Sequence, residues 1–292
     1  MSQRELTADY GVRLEKNVLV AMADGTLIAA DLHLPDAPGR FPVIFEYLPY
    51  RKDDVMAYRQ QRHHYFAQHG FACAWVDIRG TGASGGIAAD EYSRQEQDDA
   101  CELIAWLAAQ PWSNGNVGMT GISYGGFNAI QVAMRRPPAL KAIIPAYATD
   151  DRYTDDIHYY GGARRCLEIF GYPLEMVAMN ALPPHPEIVG ERWAEIWEQH
   201  LRNEPWMLTW LEQQLDGDYW RQGSLRPGYE AITAATMMIC GWSDCYRNWP
   251  LRTYAALQCP KRVLFGPWGH QWPNVAYPGP RIDYLRECVR WF

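Results

Sequence analysis

The sequence predicts an α/β protein built on a doubly wound, mostly parallel sheet. Three observations carry this expectation. Short apolar runs alternate with helix-period segments from residue 43 to residue 144. The alternation stops over 150–234, where aromatic residues gather on amphipathic helical patterns, and strand-like runs return at Thr236–Cys240 and Val263–Phe265. The expected organisation is therefore a core of residues 12–149 and 235–292 interrupted by a helical cap, residues 150–234.

Each element has its own signal. Val18–Ala21 and Thr26–Asp31 flank Asp24-Gly25, a hairpin turn pair. Val43-Ile44-Phe45 is continuously apolar, as a strand covered on both faces should be. Met56–His69 reads as a helix stopped by Gly70, and Phe71–Val76 as the strand after it. Ser93-Arg94-Gln95-Glu96 forms a capping box ahead of Ala100, Leu103, Ile104 and Leu107 at helical spacing. Val117–Thr120, Phe127–Met134 and Ala142-Ile143-Ile144 continue the strand, helix, strand order. Over 150–234 no strand pattern is visible. Trp193, Ile196, Trp197, His200 and Leu201 share one helical face, and Pro205 opens a second helix with Trp206, Met207, Trp210 and Leu211. Tyr246–Leu257 reads as a helix for which Asp244 could serve as N-cap. Ile282, Leu285, Val289 and Phe292 keep an apolar face to the last residue with no stop signal, so the natural protein is expected to continue.

Composition narrows the function. With 27 Lys+Arg against 34 Asp+Glu, the formal charge of −7 disfavours nucleic acid as a partner. No apolar run approaches the roughly 18–20 residues of a membrane span, and Met1-Ser2-Gln3-Arg4-Glu5 opens no signal peptide, so a cytoplasmic protein without membrane contact is expected. Seven Cys without a Cys-x-x-Cys pair read as reduced thiols. Eight His without His-x-x-x-His spacing give no reason to expect a resident metal.

The chemistry is concentrated in a few motifs. Gly121-Ile122-Ser123-Tyr124-Gly125 follows a strand and precedes a helix, the context in which a strained turn lifts a serine oxygen above a sheet. The same turn aims the Tyr124 N–H at a developing oxyanion. In α/β-hydrolases an acid and then a histidine follow the nucleophile. Asp244, after Thr236–Cys240, and His270, after Val263–Phe265, stand in that order, and His270 is the only histidine beyond His200. The loop Leu48-Pro49-Tyr50-Arg51-Lys52 has no His-Gly-Gly-Gly sequence, so the Tyr50 hydroxyl is the candidate second oxyanion donor, with ordinary loop packing as its alternative. Gly80-Thr81-Gly82-Ala83-Ser84-Gly85 matches a dinucleotide fingerprint in letters only. Its helix signal waits until Ser93, so a loop-forming role is preferred and no cofactor is expected. Asp150, Asp151, Asp155 and Asp156 read first as a solvated turn with helix N-terminal charges and second as an ammonium-binding group.

Val76–Gly85, Gly115–Tyr124, Gly241-Trp242-Ser243-Asp244 and Gly266-Pro267-Trp268-Gly269-His270 together resemble the CocE/NonD hydrolases, the cocaine-esterase-like relatives of Xaa-Pro dipeptidyl peptidases, over residues 12–292. The resemblance implies an α/β-hydrolase fold, Ser123 as nucleophile, Asp244 and His270 as its partners, and an oxyanion hole of the Tyr124 N–H and the Tyr50 hydroxyl. Pro49-Tyr50 matches the family's Pro-Tyr motif. Family members usually continue into a β-rich jelly-roll domain, which implies a surface here that such a domain would cover and through which the chain would associate.

The expected activity is cleavage of an ester or amide acyl bond by a serine hydrolase through an acyl-enzyme, on a small ester, amide or short peptide. Trp193 and Trp210 would line the substrate pocket. Asp155 and Asp156 would bind a substrate amine if the enzyme is instead a dipeptidyl peptidase or an α-amino-acid ester hydrolase. A catalytically inert binding module and, more distantly, an NAD-dependent oxidoreductase are the alternatives of other classes.

Overall fold

The computed structural model describes residues 10–292 and, within them, all side chains except those of Tyr58 and 166–170. The Met1–Glu5 stretch lies outside the described residues. The chain opens with β1 (Val12–Ala21), β2 (Leu27–Pro35) and β3 (Phe41–Leu48), followed by α1 (Gln60–Gln68), β4 (Ala72–Asp77), α2 (Arg94–Ala109), β5 (Ser113–Ile122), α3 (Tyr124–Met134) and β6 (Leu140–Ala146). A segment outside the main sheet holds a small hairpin, β7 (Tyr159–Tyr160) and β8 (Ala163–Arg164). Its helices are α4 (Cys166–Ala181), α5 (Pro186–Val189), α6 (Trp193–His200), α7 (Trp206–Glu212) and α8 (Asp218–Arg221). The sheet resumes with β9 (Ala235–Gly241), α9 (Trp249–Ala256), β10 (Lys261–Gly266) and α10 (Tyr284–Trp291).

One eight-stranded sheet runs β1-β2-β4-β3-β5-β6-β9-β10. β2 pairs antiparallel with β1 and β4, and the pairings from β4 through β10 are parallel. The Asp24-Gly25 turn forms as expected, with Gly25 at φ 84°. From β3 the chain crosses one way to β4 and then back the other way to β5. Right-handed crossovers therefore put α1 and α2 on opposite faces. α1 meets α10 on its face, and α2 meets α3 on the other. The reversal opens a crevice between the carboxyl ends of β3 and β5. Tyr50 follows β3 and Ser123 follows β5, so both candidate residues stand at its rim.

The buried strands are apolar for the predicted reason. β4 is buried along its whole length, and Ile28, Ile44, Phe45, Trp75, Ile143 and Ile239 have no exposed surface. The apolar face of α10 also has a destination. The Phe292 ring occupies the space above Gly118, where an added Cβ would lie 2.4 Å from it. Cys73, Cys240 and Cys288 are buried thiols. No helix among the described residues is long and apolar enough to cross a membrane.

The expectation of no strand in 150–234 is corrected by the β7–β8 hairpin, whose two-residue strands are too short to leave a period-2 pattern. The solvated-turn reading of the acidic group is corrected as well, because Asp150, Asp155 and Asp156 are buried. Asp150 accepts from Arg252 Nε at 2.9 Å, Thr253 Oγ1 at 3.0 Å and the Tyr229 hydroxyl at 2.5 Å. The first two bonds fasten the segment after β6 to α9, and the third ties it to the stretch before β9.

A second set of bonds fastens the helices to the glycine-rich loop after β4. Gln199 Oε1 accepts from Gly86 N at 2.8 Å, and His200 Nε2 donates to Ser84 O at 2.8 Å. Asn203 Oδ1 accepts from Ala88 N at 2.9 Å, and Trp206 Nε1 donates to Ala88 O at 2.7 Å. Main-chain groups of a loop that cannot pair in a sheet are thus satisfied by side chains from α6 to α7.

Candidate active site

Ser123 sits between β5 and α3 with φ 57° and ψ −121°, a sparsely populated conformation for a residue with a side chain. Its N–H donates to Ala146 O at 2.8 Å, and its carbonyl accepts from Gly126 and Phe127 N–H at 2.7 and 2.9 Å. The glycines allow this bend. An added Cβ at Gly121 would lie 2.5 Å from the Gly125 carbonyl carbon, and one at Gly126 would lie 2.7 Å from Ala146 O. Gly126, outside the pentapeptide, therefore matters as much as Gly121, while a Cβ at Gly125 would meet nothing closer than 3.7 Å. Tyr124 is the first residue of α3, where N–H groups have no partner inside the helix.

Asp244 and His270 meet across parallel strands held in register, with Gly241 opposite Gly266. The two loops approach so closely that a Cβ at Gly241 would lie 2.0 Å from Trp268 O. His270 Nδ1 is 2.6 Å from Asp244 Oδ2, and Asp244 Oδ1 accepts from Tyr246 N at 2.7 Å. The carboxylate is buried while the imidazole is 40% exposed. Asp244 is not the N-cap of α9; Asn248 holds that position.

The Tyr50 ring packs edge-on against the Tyr124 ring at 5.8 Å. Its loop is held from below. Lys52 N donates to Asp77 Oδ1 at 2.8 Å, and the buried Lys52 ammonium lies 3.0 Å from Asp31 and 2.6 Å from Asp53. Asp77 Oδ2 also accepts from Ala83 N at 3.0 Å, and a Cβ at Gly82 would lie 2.2 Å from that oxygen. The glycines of Gly80–Gly85 thus let a loop wrap around Asp77, as preferred over the nucleotide reading, and α2 begins only at Arg94.

Several neighbours were not legible in sequence. The Tyr50 hydroxyl neighbours that of Tyr172 of α4, and burial raises its pKa. Tyr172 donates to Glu91 Oε1 at 3.1 Å. Glu91 Oε2 lies 3.0 Å from Arg152 and 3.1 Å from His158. Burial alone would raise the Glu91 pKa, but His158 and Arg152 hold it below the ordinary value. Glu96 behaves in the opposite way. Its backbone N–H donates to Ser93 Oγ at 3.1 Å as the capping box predicts, yet its carboxyl turns inward and accepts from the Tyr124 hydroxyl at 2.9 Å. Burial pushes this carboxyl up to about 8.

A stability prediction follows from Glu96. Between its ordinary value of 4.5 and about 8, the unfolded chain releases this proton while the folded protein keeps it. The contribution is fully present below that window and is lost as pH rises through it. Glu96→Gln is expected to gain stability relative to wild type between pH 5 and pH 8 in paired denaturant melts; a constant difference refutes the assignment.

The remaining candidates are scattered. Trp210 is buried, stacked on Tyr172 at 5.8 Å with His158 at 4.2 Å, and so borders the Tyr50 surroundings. Trp193 is 38% exposed beside Trp197. The Asp155 carboxylate is engaged by Asn248 at 3.1 Å and Arg252 at 3.3 Å. Asp156 is buried near His158 and Glu91, with its carboxyl pushed up to about 6 by burial and Oδ2 without a hydrogen-bond partner among the described residues.

The sheet order, the strained serine turn and the strand-end positions define an α/β-hydrolase. The chain belongs to the X-Pro dipeptidyl-peptidase (S15) family of serine hydrolases, whose family model matches residues 24–272. It is 30% identical to the cocaine esterase of Rhodococcus sp. (strain MB1 Bresler), over 90% of this chain and 50% of that protein. A CocE/NonD family hydrolase from Staphylococcus aureus superposes with a TM-score of 0.72 at 22% identity, covering 87% of this chain and 46% of the other. An α-amino acid ester hydrolase superposes with a TM-score of 0.70 at 20% identity, covering 99% and 54%. The chain spans about half the length of the curated relatives it matches.

Proposed function

We propose that this chain is the catalytic part of a serine hydrolase that cleaves a small ester, amide or short peptide, with residues 150–234 as a cap over the site. The observation that carries the reading is the strained Ser123 turn on the same sheet edge as the buried-acid pair of Asp244 and His270. In this reading His270 takes the Ser123 hydroxyl proton as the oxygen attacks the acyl carbon. Asp244 accepts from Nδ1–H and so leaves Nε2 as the basic nitrogen. The tetrahedral oxyanion is met by the Tyr124 N–H and the Tyr50 hydroxyl, whose raised pKa keeps it protonated and able to donate. Collapse transfers the proton from His270 to the leaving group and leaves an acyl-Ser123, which water clears by the same route.

Tyr50→Phe keeps the ring against Tyr124 and removes only the donor. It is expected to lower kcat by about 10²–10³-fold with little change in KM. An unchanged kcat in a folded variant would remove Tyr50 from the mechanism.

The aminopeptidase-type reading has one observation in its favour, the buried Asp156 carboxyl near Glu91, the residue that accepts from the Tyr172 hydroxyl. A panel of matched N-acetylated and free-amine aminoacyl esters and amides tests the choice. Preference for the free amine selects it, and indifference selects the plain esterase. Binding to the exposed Trp193 face is separated from pocket recognition by whether Trp193→Ala or Trp210→Ala shifts that preference. We infer a cytoplasmic location from the same cysteine pattern, in which Cys73, Cys240 and Cys288 are buried free thiols. Association is inferred through the face carrying Trp242, Val275 and Tyr277, which are 56%, 53% and 80% exposed. Light scattering that stays monomeric at high concentration would oppose it.

A further inference from the structure

We propose that Asp244, Cys245 and His270 form an inhibitory site for Zn²⁺ at the acid–base pair. The inference rests on His270 being the general base. The three residues offer one oxygen, one sulfur and one nitrogen, all within 4.8 Å of one another. That donor set suits a borderline-soft, tetrahedral cation, with water as the fourth ligand. Asp244 is buried, but His270 is 40% exposed and Cys245 half-buried, so an ion can arrive from solvent. Bonds of about 2.0–2.3 Å to the metal place tetrahedral ligand atoms roughly 3.3–3.8 Å apart. The side chains of Cys245 and His270 must therefore shift. Cys245 lies in the turn between β9 and α9, outside regular structure.

Sequence spacing hides this site, because Cys245 and His270 come from the loops after different strands. It is a site for an added ion and competes with catalysis. The thiol gives its proton to solvent on ligation. The imidazole remains neutral. If Nδ1 ligates, its proton moves to Nε2; if Nε2 ligates, its lone pair is consumed. Either way His270 has no lone pair left for the Ser123 proton, so an occupied site is an inactive one.

The test uses the chain in wild-type, Cys245→Ser and Cys245→Ala forms. Bound Zn²⁺ is counted by equilibrium dialysis, and Co²⁺ serves as the spectroscopic probe. Wild type is expected to bind one high-affinity ion and to show a thiolate-to-Co²⁺ charge-transfer band, and both variants should lose the ion and the band. Zn²⁺ is expected to inhibit ester hydrolysis reversibly by EDTA, with sensitivity falling at least about 10–100-fold in the variants while basal activity holds. A Co²⁺ band that persists in both variants, or equal inhibition of all three forms, overturns the proposal. If wild type hydrolyses nothing, the hydrolase reading fails, whereas the dialysis and the Co²⁺ band still decide the metal site.

Discussion

Ser123→Ala is expected to abolish turnover, lowering kcat by about 10⁴–10⁶-fold and leaving only what substrate binding and the oxyanion donors supply. The cause is local. The side chain is on a turn held by the Ala146 carbonyl and by glycines at 121 and 126 that admit no Cβ, so no neighbour can move into its place. A fluorophosphonate probe reads the result without knowledge of the substrate. Labelling of wild type and none of the variant is the expected pair. Equal labelling places the reactive nucleophile elsewhere, and no labelling of folded wild type favours an inert binding module. The variant should fold as well as wild type, because alanine removes one oxygen and relieves nothing in the strained backbone.

Asp244→Asn is expected to cost about 10⁴-fold in kcat through the histidine tautomer. The asparagine amide can donate where the carboxylate only accepts, so Nδ1 becomes the acceptor and the proton is left on Nε2, facing Ser123. The buried position also hosts Oδ1 as acceptor for the Tyr246 N–H, a role the asparagine carbonyl can keep only in one amide orientation. That orientation presents the NH₂ to His270. A kcat within tenfold of wild type would mean that Asp244 does not set the tautomer.

Much of the candidate site is legible because its residues stand at strand ends, where period and chain order can be read together. Ser123, Asp244 and His270 follow β5, β9 and β10 as their runs predict. The residues that support them were not legible in the same way. The Ser93–Glu96 spacing located a helix start, but a capping box says nothing of the Tyr124 hydroxyl, which wins the Glu96 carboxyl in the fold. Asp150 and Asp155 looked solvated because acidic runs usually are. Their cation, Arg252, is about a hundred positions away in α9, and no local pattern announces that pairing. Tyr172 and Glu91, which bond to each other beside Tyr50, come from α4 and from the loop before α2, far from it in sequence, and Gly126 differs from its neighbours only in what stands above it. Local order is written in spacing, whereas long-range pairing is written in the completed fold.

The bonds from Gln199, His200, Asn203 and Trp206 to the backbone of residues 84–88 set a limit on engineering. Chimeras that exchange the helical insertion between relatives must carry the loop after β4 with it. A graft of 150–234 alone would strand several main-chain polar groups of that loop. The unit of recombination in this fold is thus two pieces of chain, separated in sequence by the strand and helix that flank Ser123.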